Sequence, residues 1–230
     1  MYTARPPWWA PPATLARLLA GLWLFGTGEG LLVASELGNS PWTVLAEGVS
    51  VQAPLSVGIA TIAISFAVLA LWLPLRQRPG LGTVLNAVLV GVALDVTLGV
   101  VPDALPLGVR TLEVPAAIVL VAVGSGLYIG SGLGPGPRDG LMTGLHRVTG
   151  RSVGLIRTLI EIAVLVSGAL LGGTFGPGTV AFAVLIGPAV ALALRRIPPS
   201  RSARAGGRLG EGGAPPDDPQ AKKKTSPSTR

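Results

Sequence analysis

Four ionisable side chains lie inside apolar stretches of the sequence, where a charge is costly unless it is paired or hydrated. They are Glu29, Asp95, Arg157 and Glu161. Arg157 and Glu161 are four residues apart, so on a helix they share one face and can form an ion pair. Such a pair either holds helices together or takes part in binding a solute or a proton, and the spacing leaves both open. Glu29 and Asp95 lie toward the ends of their stretches, where a side chain can simply reach the polar interface.

A Leu-Gly-x-x-Pro turn occurs twice, and its glycines and prolines are Gly38, Pro41, Gly134 and Pro137. Each turn precedes a segment too short to cross a bilayer, residues 42–49 and residues 138–148. The second begins with Arg138 and Asp139, and a proline followed by a carboxylate is typical of the first turn of a helix. The two segments are either half-helices that enter the membrane from opposite faces or amphipathic helices that lie at the interface. The cost of drawing Arg138 and Asp139 into lipid slightly favours the interfacial interpretation.

Several classes of chemistry are excluded by composition. The chain has no Cys and a single His, His146. Thiolate metal sites, iron–sulfur clusters, cysteine nucleophiles and histidine clusters for zinc are therefore ruled out. No nucleophile and base are spaced as a hydrolase would need them, so we expect neither an enzyme nor a cofactor.

The residues between these groups are those of a membrane protein. Of 230 residues, 49% are apolar and only 13% are charged, and the mean hydropathy is +0.61. Soluble domains are about a quarter charged. Apolar runs near the 20 residues that cross a bilayer as a helix occur at residues 15–35, 57–75, 82–101, 114–131, 152–171 and 178–194. Six transmembrane helices are predicted, because barrel strands would alternate polar and apolar residues.

The distribution of basic residues predicts the orientation. With the N-terminus inside, 17 of the 18 Lys and Arg residues fall on one side and only Arg110 on the other. The positive-inside rule then places both termini in the cytoplasm. Residues 1–14 form an N-terminal interfacial segment, residues 102–113 an extracytoplasmic loop, and residues 198–230 a disordered basic tail attracted to anionic lipid rather than to nucleic acid. A cleaved signal peptide is the rival interpretation of the N-terminus.

The sequence repeats itself at an offset of 96 residues. Residues 24–95 and 120–191 align without gaps and share 27 identities among 72 positions. Each unit, residues 15–101 and 114–197, holds three spans, so the second must enter the membrane from the opposite side. Inverted repeats of this kind are found in many secondary transporters. The offset pairs Glu161 with Ser65, Arg157 with Thr61 and Asp95 with Ala191, so we expect a site built chiefly from the second unit.

Three strings in the second unit point to a family. They are Leu133-Gly-Pro-Gly-Pro-Arg-Asp-Gly-Leu-Met142 followed by Arg157 and Glu161, then Gly176-Pro-Gly-Thr-Val180, and finally Gly187-Pro188. Together they resemble the YczE-like group of bacterial membrane proteins, which is related to the YitT-type proteins. The resemblance covers roughly residues 15–194. It implies a polytopic protein of the bacterial cytoplasmic membrane, with no settled activity to carry over, and it includes the positions of Arg138, Asp139, Arg157 and Glu161.

The resulting expectation is an all-α protein of two inverted three-helix repeats, each with a short amphipathic or re-entrant helix, that binds or moves a small solute. Arg157 and Glu161 would line the path, and Arg138 and Asp139 would lie at the cytoplasmic gate. Asp95 and Glu29 complete the set of candidates. The alternative is a non-transporting scaffold or regulator that contacts a membrane partner, or a second copy of itself, through its small-residue faces and its tail.

Overall fold

The computed structural model describes residues 8–102 and 105–200, and within these residues every regular element is an α-helix. The helices are α1 (Pro12–Ser35), α2 (Pro41–Gln52), α3 (Val57–Leu71), α4 (Leu81–Val100), α5 (Leu107–Ile129), α6 (Pro137–Thr149), α7 (Val153–Leu170) and α8 (Pro177–Arg196). The predicted structure of residues 1–7 and of most of the basic tail falls outside the described residues.

The 96-residue repeat is also a repeat of helix starts. Helices α2 and α6 begin at Pro41 and Pro137, and α4 and α8 begin at Leu81 and Pro177. Proline suits the first position of a helix and begins both α2 and α6. Helices α4 and α8 share another signal, since the amides of Gly80 and Gly176 donate to the hydroxyls of Thr83 and Thr179. Ser56 and Ser152 cap α3 and α7 in the same way, each accepting a hydrogen bond from the backbone three residues on.

Five of the helices in the described residues are long and apolar enough to cross a membrane individually: α1, α4, α5, α7 and α8. The remaining predicted span, residues 57–75, is shorter in the structure, because α3 ends at Leu71 and has only 15 residues. The chain turns after Leu71, and Arg76 there has a left-handed backbone with φ of 51°. Helices α2 and α3 are long and apolar enough to cross only when taken together, and the pair is bent by 113° at the break between them.

The start of α5 also differs from the prediction, because the helix begins at Leu107 rather than at residue 114. The charged residues in its first two turns interrupt the apolar run without ending the helix. Arg110 is satisfied by donating hydrogen bonds to the carbonyl oxygen of Ser35 (2.7 Å) and to the carboxylate of Glu36 (2.6 Å), at the end of α1.

The two units pack by exchanging equivalent contacts. Helix α1 lies along α5, α2 of the first unit packs on α7 of the second, and α6 of the second packs on α3 of the first. The loops do the same: the Gly178 amide donates to the Leu37 carbonyl (2.8 Å), and the Gly82 amide donates to the Leu133 carbonyl (2.9 Å). These two hydrogen bonds join positions related by the offset of 96. Each hydrogen bond joins the loop of one unit to the first turn of a helix in the other.

Candidate functional site

A cavity of about 220 Å³ lies where the two units meet, and all eight helices or their caps contribute to its wall. Five of the six candidate residues line it: Glu29, Arg138, Asp139, Arg157 and Glu161. They come from three different helices, α1, α6 and α7, so tertiary packing brings them together. Aromatic and apolar side chains fill much of the remaining wall, among them Phe25, Trp42, Phe182 and Ile186.

Glu29 is the most deeply buried of the candidates, with 1% of its surface exposed. Its Oε2 accepts hydrogen bonds from the hydroxyls of Ser40 (2.7 Å) and Thr43 (2.6 Å). Both hydroxyls belong to the N-terminus of α2, where the helix dipole also favours a negative charge. The Glu29 carboxylate is therefore held by hydrogen bonds inside the helix bundle and does not reach the polar interface.

Arg138 and Asp139 occupy the first turn of α6. The guanidinium carbon of Arg138 lies 5.0 Å from the ring centroid of Trp42, within range of a cation–π interaction. Asp139 accepts a hydrogen bond of 2.5 Å from the Tyr128 hydroxyl. Arg138 is also within electrostatic range of Glu29, Asp139 and Glu161. Helix α6 packs against α3 and α7. Arg138 is half-buried there and Asp139 is exposed.

Arg157 and Glu161 form the ion pair that their spacing predicts. Arg157 Nε lies 2.8 Å from Glu161 Oε1, and the side chains are 52% and 31% exposed. Helix α7 is the least enclosed of the long helices. The pair therefore lies on an open side of the cavity and does not fill a tight helix interface.

Asp95 lies elsewhere, outside the residues that line the cavity. Its Oδ2 accepts a hydrogen bond from the Ser56 hydroxyl (2.5 Å), and its Oδ1 accepts one from the Gly58 amide (2.7 Å). Asp95 thus ties α4 to the first turn of α3. The four turn residues, Gly38, Pro41, Gly134 and Pro137, lie at the starts of α2 and α6, and both glycines have positive φ, 116° and 121°.

The wall of the cavity follows the repeat. Sixteen of its residues form eight pairs separated by 96 positions. The pairs that include a candidate residue are Glu29 with Ser125, Trp42 with Arg138, Thr61 with Arg157, and Ser65 with Glu161. The charged member lies in the second unit in three of these four pairs. Each unit nevertheless supplies the same positions to the wall, including the hydroxyls of Thr61 and Ser65.

Several residues of the cavity wall are uncharged, so a search for ionisable residues in apolar segments does not find them. Trp42, Thr61, Ser65 and Ser125 could have been found by carrying each candidate residue across the offset of 96. Tyr128 and Asn86 have apolar equivalents, Leu32 and Phe182, so only the three-dimensional structure reveals them. Within the described residues, no three acidic or histidine side chains are grouped as metal ligands.

Comparison with known proteins places the chain in a family. The model of a family of unknown function, DUF6198, matches residues 13–195. An uncharacterised protein of Haemophilus influenzae is 40% identical over 189 residues, which cover 82% of this chain and 87% of the relative. YczE, an uncharacterised membrane protein of Bacillus subtilis, is 32% identical over 170 residues, or 73% and 79% of the two chains. This chain is a YczE-like protein.

The resemblance to the YczE-like group is thereby confirmed. A second Bacillus subtilis relative, the uncharacterised protein YyaS, is 28% identical over 163 residues, covering 69% of this chain and 81% of its own. No solved structure matches the chain. Together with the apolar helices, the relative named as a membrane protein identifies the chain as a multi-pass membrane protein of unknown activity.

Proposed function

We propose that this protein is a small-solute transporter of the bacterial cytoplasmic membrane, with its binding site in the cavity between the two repeats. The observation that carries the proposal is the symmetric wall of the cavity, to which each repeat contributes equivalent positions. Sites at the interface of two inverted repeats are characteristic of secondary transporters. A scaffold has no need of five charged side chains gathered from three helices around one cavity.

The inverted arrangement is part of the proposal. Helices α1 and α4 cross the membrane in the first unit, and the bent pair of α2 and α3 supplies the third crossing, so the number of crossings is odd. The second unit then runs in the opposite sense. The reciprocal hydrogen bonds of Leu37 with Gly178 and of Leu133 with Gly82 support a two-fold relation between the units. Both termini lie in the cytoplasm, following the distribution of basic residues.

The charges of the cavity favour a small polar solute with both kinds of charge or hydrogen-bonding group. The wall holds three carboxylates, Glu29, Asp139 and Glu161, and two guanidinium groups, Arg138 and Arg157. Arg157 is paired with Glu161, whereas Glu29 is held by hydroxyls, which a bound cationic group could supplement. The lining aromatic rings provide stacking surfaces for an apolar part of the solute.

The test is a thermal-stability screen of purified protein in detergent or nanodiscs against a library of metabolites and ions. A ligand at 100 times its dissociation constant stabilises a protein by about 2.7 kcal/mol. We expect a stabilising compound for the wild type and loss of that stabilisation in Glu161→Gln. The matched control is Glu36→Gln, which alters a carboxylate that pairs with Arg110 and does not line the cavity.

A compound that stabilises the wild type and Glu36→Gln, but not Glu161→Gln, supports a site at the cavity and is then used in an uptake assay with proteoliposomes. If the compound stabilises all three proteins alike, the cavity is not its site. If Glu161→Gln fails to accumulate or unfolds, its ion pair with Arg157 is structural. If no compound stabilises well-folded protein, the result favours the non-transporting scaffold, and crosslinking for membrane partners follows.

A further inference from the structure

In the first repeat, helices α3 and α4 make a close glycine contact. Gly58 on α3 and Gly91 on α4 are both buried. A side chain at Gly58 would overlap the carbonyl oxygen of Gly91, and one at Gly91 would overlap the carbonyl oxygen of Gly58. Only a pair of glycines allows the two backbones to approach so closely.

The equivalent glycines of the second repeat make no such contact. They are Gly154 on α7 and Gly187 on α8, and a Cβ at either one would meet no other atom of the described residues within 4 Å. Helix α7 has no packing on α8 comparable to that of α3 on α4. Gly187 lines the cavity, as do Arg157 and Glu161 across from it on α7. The cavity is thus closed by helix contact at one of two equivalent places and left open at the other.

A polar latch is present only at the closed place. We call the hydrogen bonds of Asp95 with the Ser56 hydroxyl and the Gly58 amide the Asp95 latch. In the second repeat Ser152 and Gly154 occupy the equivalent positions, but Ala191 replaces Asp95. The two donors of a second latch are therefore in place without their carboxylate.

We propose that the protein has a second conformation in which α7 packs on α8 through Gly154 and Gly187, while α3 separates from α4. The Asp95 latch stabilises the conformation described here, and the lack of a carboxylate at residue 191 leaves the other gap open. The inference rests on the proposed transport function, for which it supplies the two states. With both termini in the cytoplasm, α3 and α4 meet near the outer face, so this conformation opens the cavity toward the cytoplasm.

Helix α8 is suited to this movement. Pro188 follows Gly187 directly, and it cannot donate the backbone hydrogen bond that would otherwise join it to the preceding turn. Proline is a common position of helix bending. The equivalent residue in α4 is Val92, which keeps that hydrogen bond, so the asymmetry of the gaps is matched by an asymmetry in the helices that border them.

Pulsed electron paramagnetic resonance on spin-labelled protein in nanodiscs tests the inference. The chain has no Cys of its own, so labels can be placed in pairs without background. Val153→Cys with Leu192→Cys reports the separation of α7 and α8, and the equivalent pair Val57→Cys with Val96→Cys reports that of α3 and α4. Val153, Leu192 and Val96 are exposed, so labels there displace no core side chain.

Two variants shift the equilibrium in the same direction. Ala191→Asp installs the missing carboxylate, and Asp95→Ala removes the existing one. In each variant we expect the population with the short α7–α8 distance to rise about tenfold relative to the population with the long one. The α3–α4 distance should lengthen. The cause is the charge-assisted hydrogen bonds that are added or lost. Ala191→Leu is the control, since its side chain cannot accept a hydrogen bond.

Unchanged distances in Asp95→Ala would overturn the inference. If Ala191→Asp does not insert into the membrane, Asp95→Ala alone is the test. A shift of equal size in Ala191→Leu would also overturn the inference, because a latch is then not the cause. The measurement needs no solute, so its failure is separate from that of the proposed function. Distances that shift in a protein that binds no compound would refute transport alone, and a bound compound with fixed distances would refute the two conformations alone.

Discussion

Alanine should lower stability at Gly91 of α4 and leave it nearly unchanged at Gly187 of α8, the equivalent mid-helix glycine. Both residues lie inside membrane-spanning helices, and alanine is intrinsically a better helix former than glycine by about 1 kcal/mol. At Gly187 this gain is largely offset, because Pro188 follows and a Cβ on the residue before proline disfavours helical backbone. The remaining difference between the variants comes from what the added methyl group contacts.

At Gly91 that methyl group would overlap the carbonyl oxygen of Gly58 and lie 2.6 Å from Cγ1 of Ile62. Forcing an extra carbon into a well-packed contact costs about 1–3 kcal/mol, and overlap with backbone atoms belongs at the upper end. Subtracting the helix-forming gain of about 1 kcal/mol from about 3 kcal/mol leaves a net loss of about 2 kcal/mol. At Gly187 the methyl group meets open space. The gain of about 1 kcal/mol is offset there by the proline that follows, so little net change remains.

Thermal unfolding in a single detergent measures both variants against the wild type. For a chain of this size, 1 kcal/mol corresponds to about 2–4 °C in Tm. We therefore expect Gly91→Ala to unfold about 4–8 °C lower and Gly187→Ala within about 2 °C of the wild type. Equal shifts in the two variants would refute the difference in packing between the repeats.

Two further predictions concern single hydrogen bonds. In chemical denaturation, Ser56→Ala should lower the free energy of unfolding by more than Ser152→Ala does. Ser152→Ala loses only a helix cap of about 1 kcal/mol, whereas Ser56→Ala also loses the donor to Asp95. Equal losses would contradict the Asp95 latch. Trp72→Phe should destabilise by about 1–3 kcal/mol, because the buried indole donates to the carbonyl of Pro137 at 3.0 Å and that carbonyl would lose its partner. Trp23→Phe, at a side chain 43% exposed, is its control in the same unfolding assay, and a similar loss in both would contradict the prediction.

The helices could largely be predicted, because their signals are local. Proline at residues 41 and 137 and apolar runs of suitable length are visible in the letters. The start of α5 was missed because Arg110 and Glu113 interrupt the apolar run, and only the tertiary contact of Arg110 with the end of α1 shows how such a charge is accommodated. The length of α3 was overestimated, since the turn after Leu71 lies within residues that are themselves apolar.

The candidate site could be predicted only where it carries charge. The rarity of ionisable groups in apolar segments singled out Glu29, Arg157 and Glu161, and all three line the cavity. The same rule also selected Asp95, which joins two helices outside the cavity. A charge in an apolar segment signals that a partner must exist, but not whether that partner belongs to the protein or to a solute. The first repeat contributes mostly hydroxyl and aromatic groups to the cavity. Such groups are common in apolar segments, so the sequence does not single them out.

The reciprocal packing of the repeats has a consequence for how the chain is made. Translation completes the first repeat before α5 to α8 exist, yet α1 needs α5, α2 needs α7, and the carbonyl of Leu37 needs the amide of Gly178. The first half therefore waits in the bilayer with its partner surfaces uncovered until the second half is inserted. Assembly is in effect the docking of two nascent halves, and a chain that stops after α4 would present quality-control proteases with an unfinished interface.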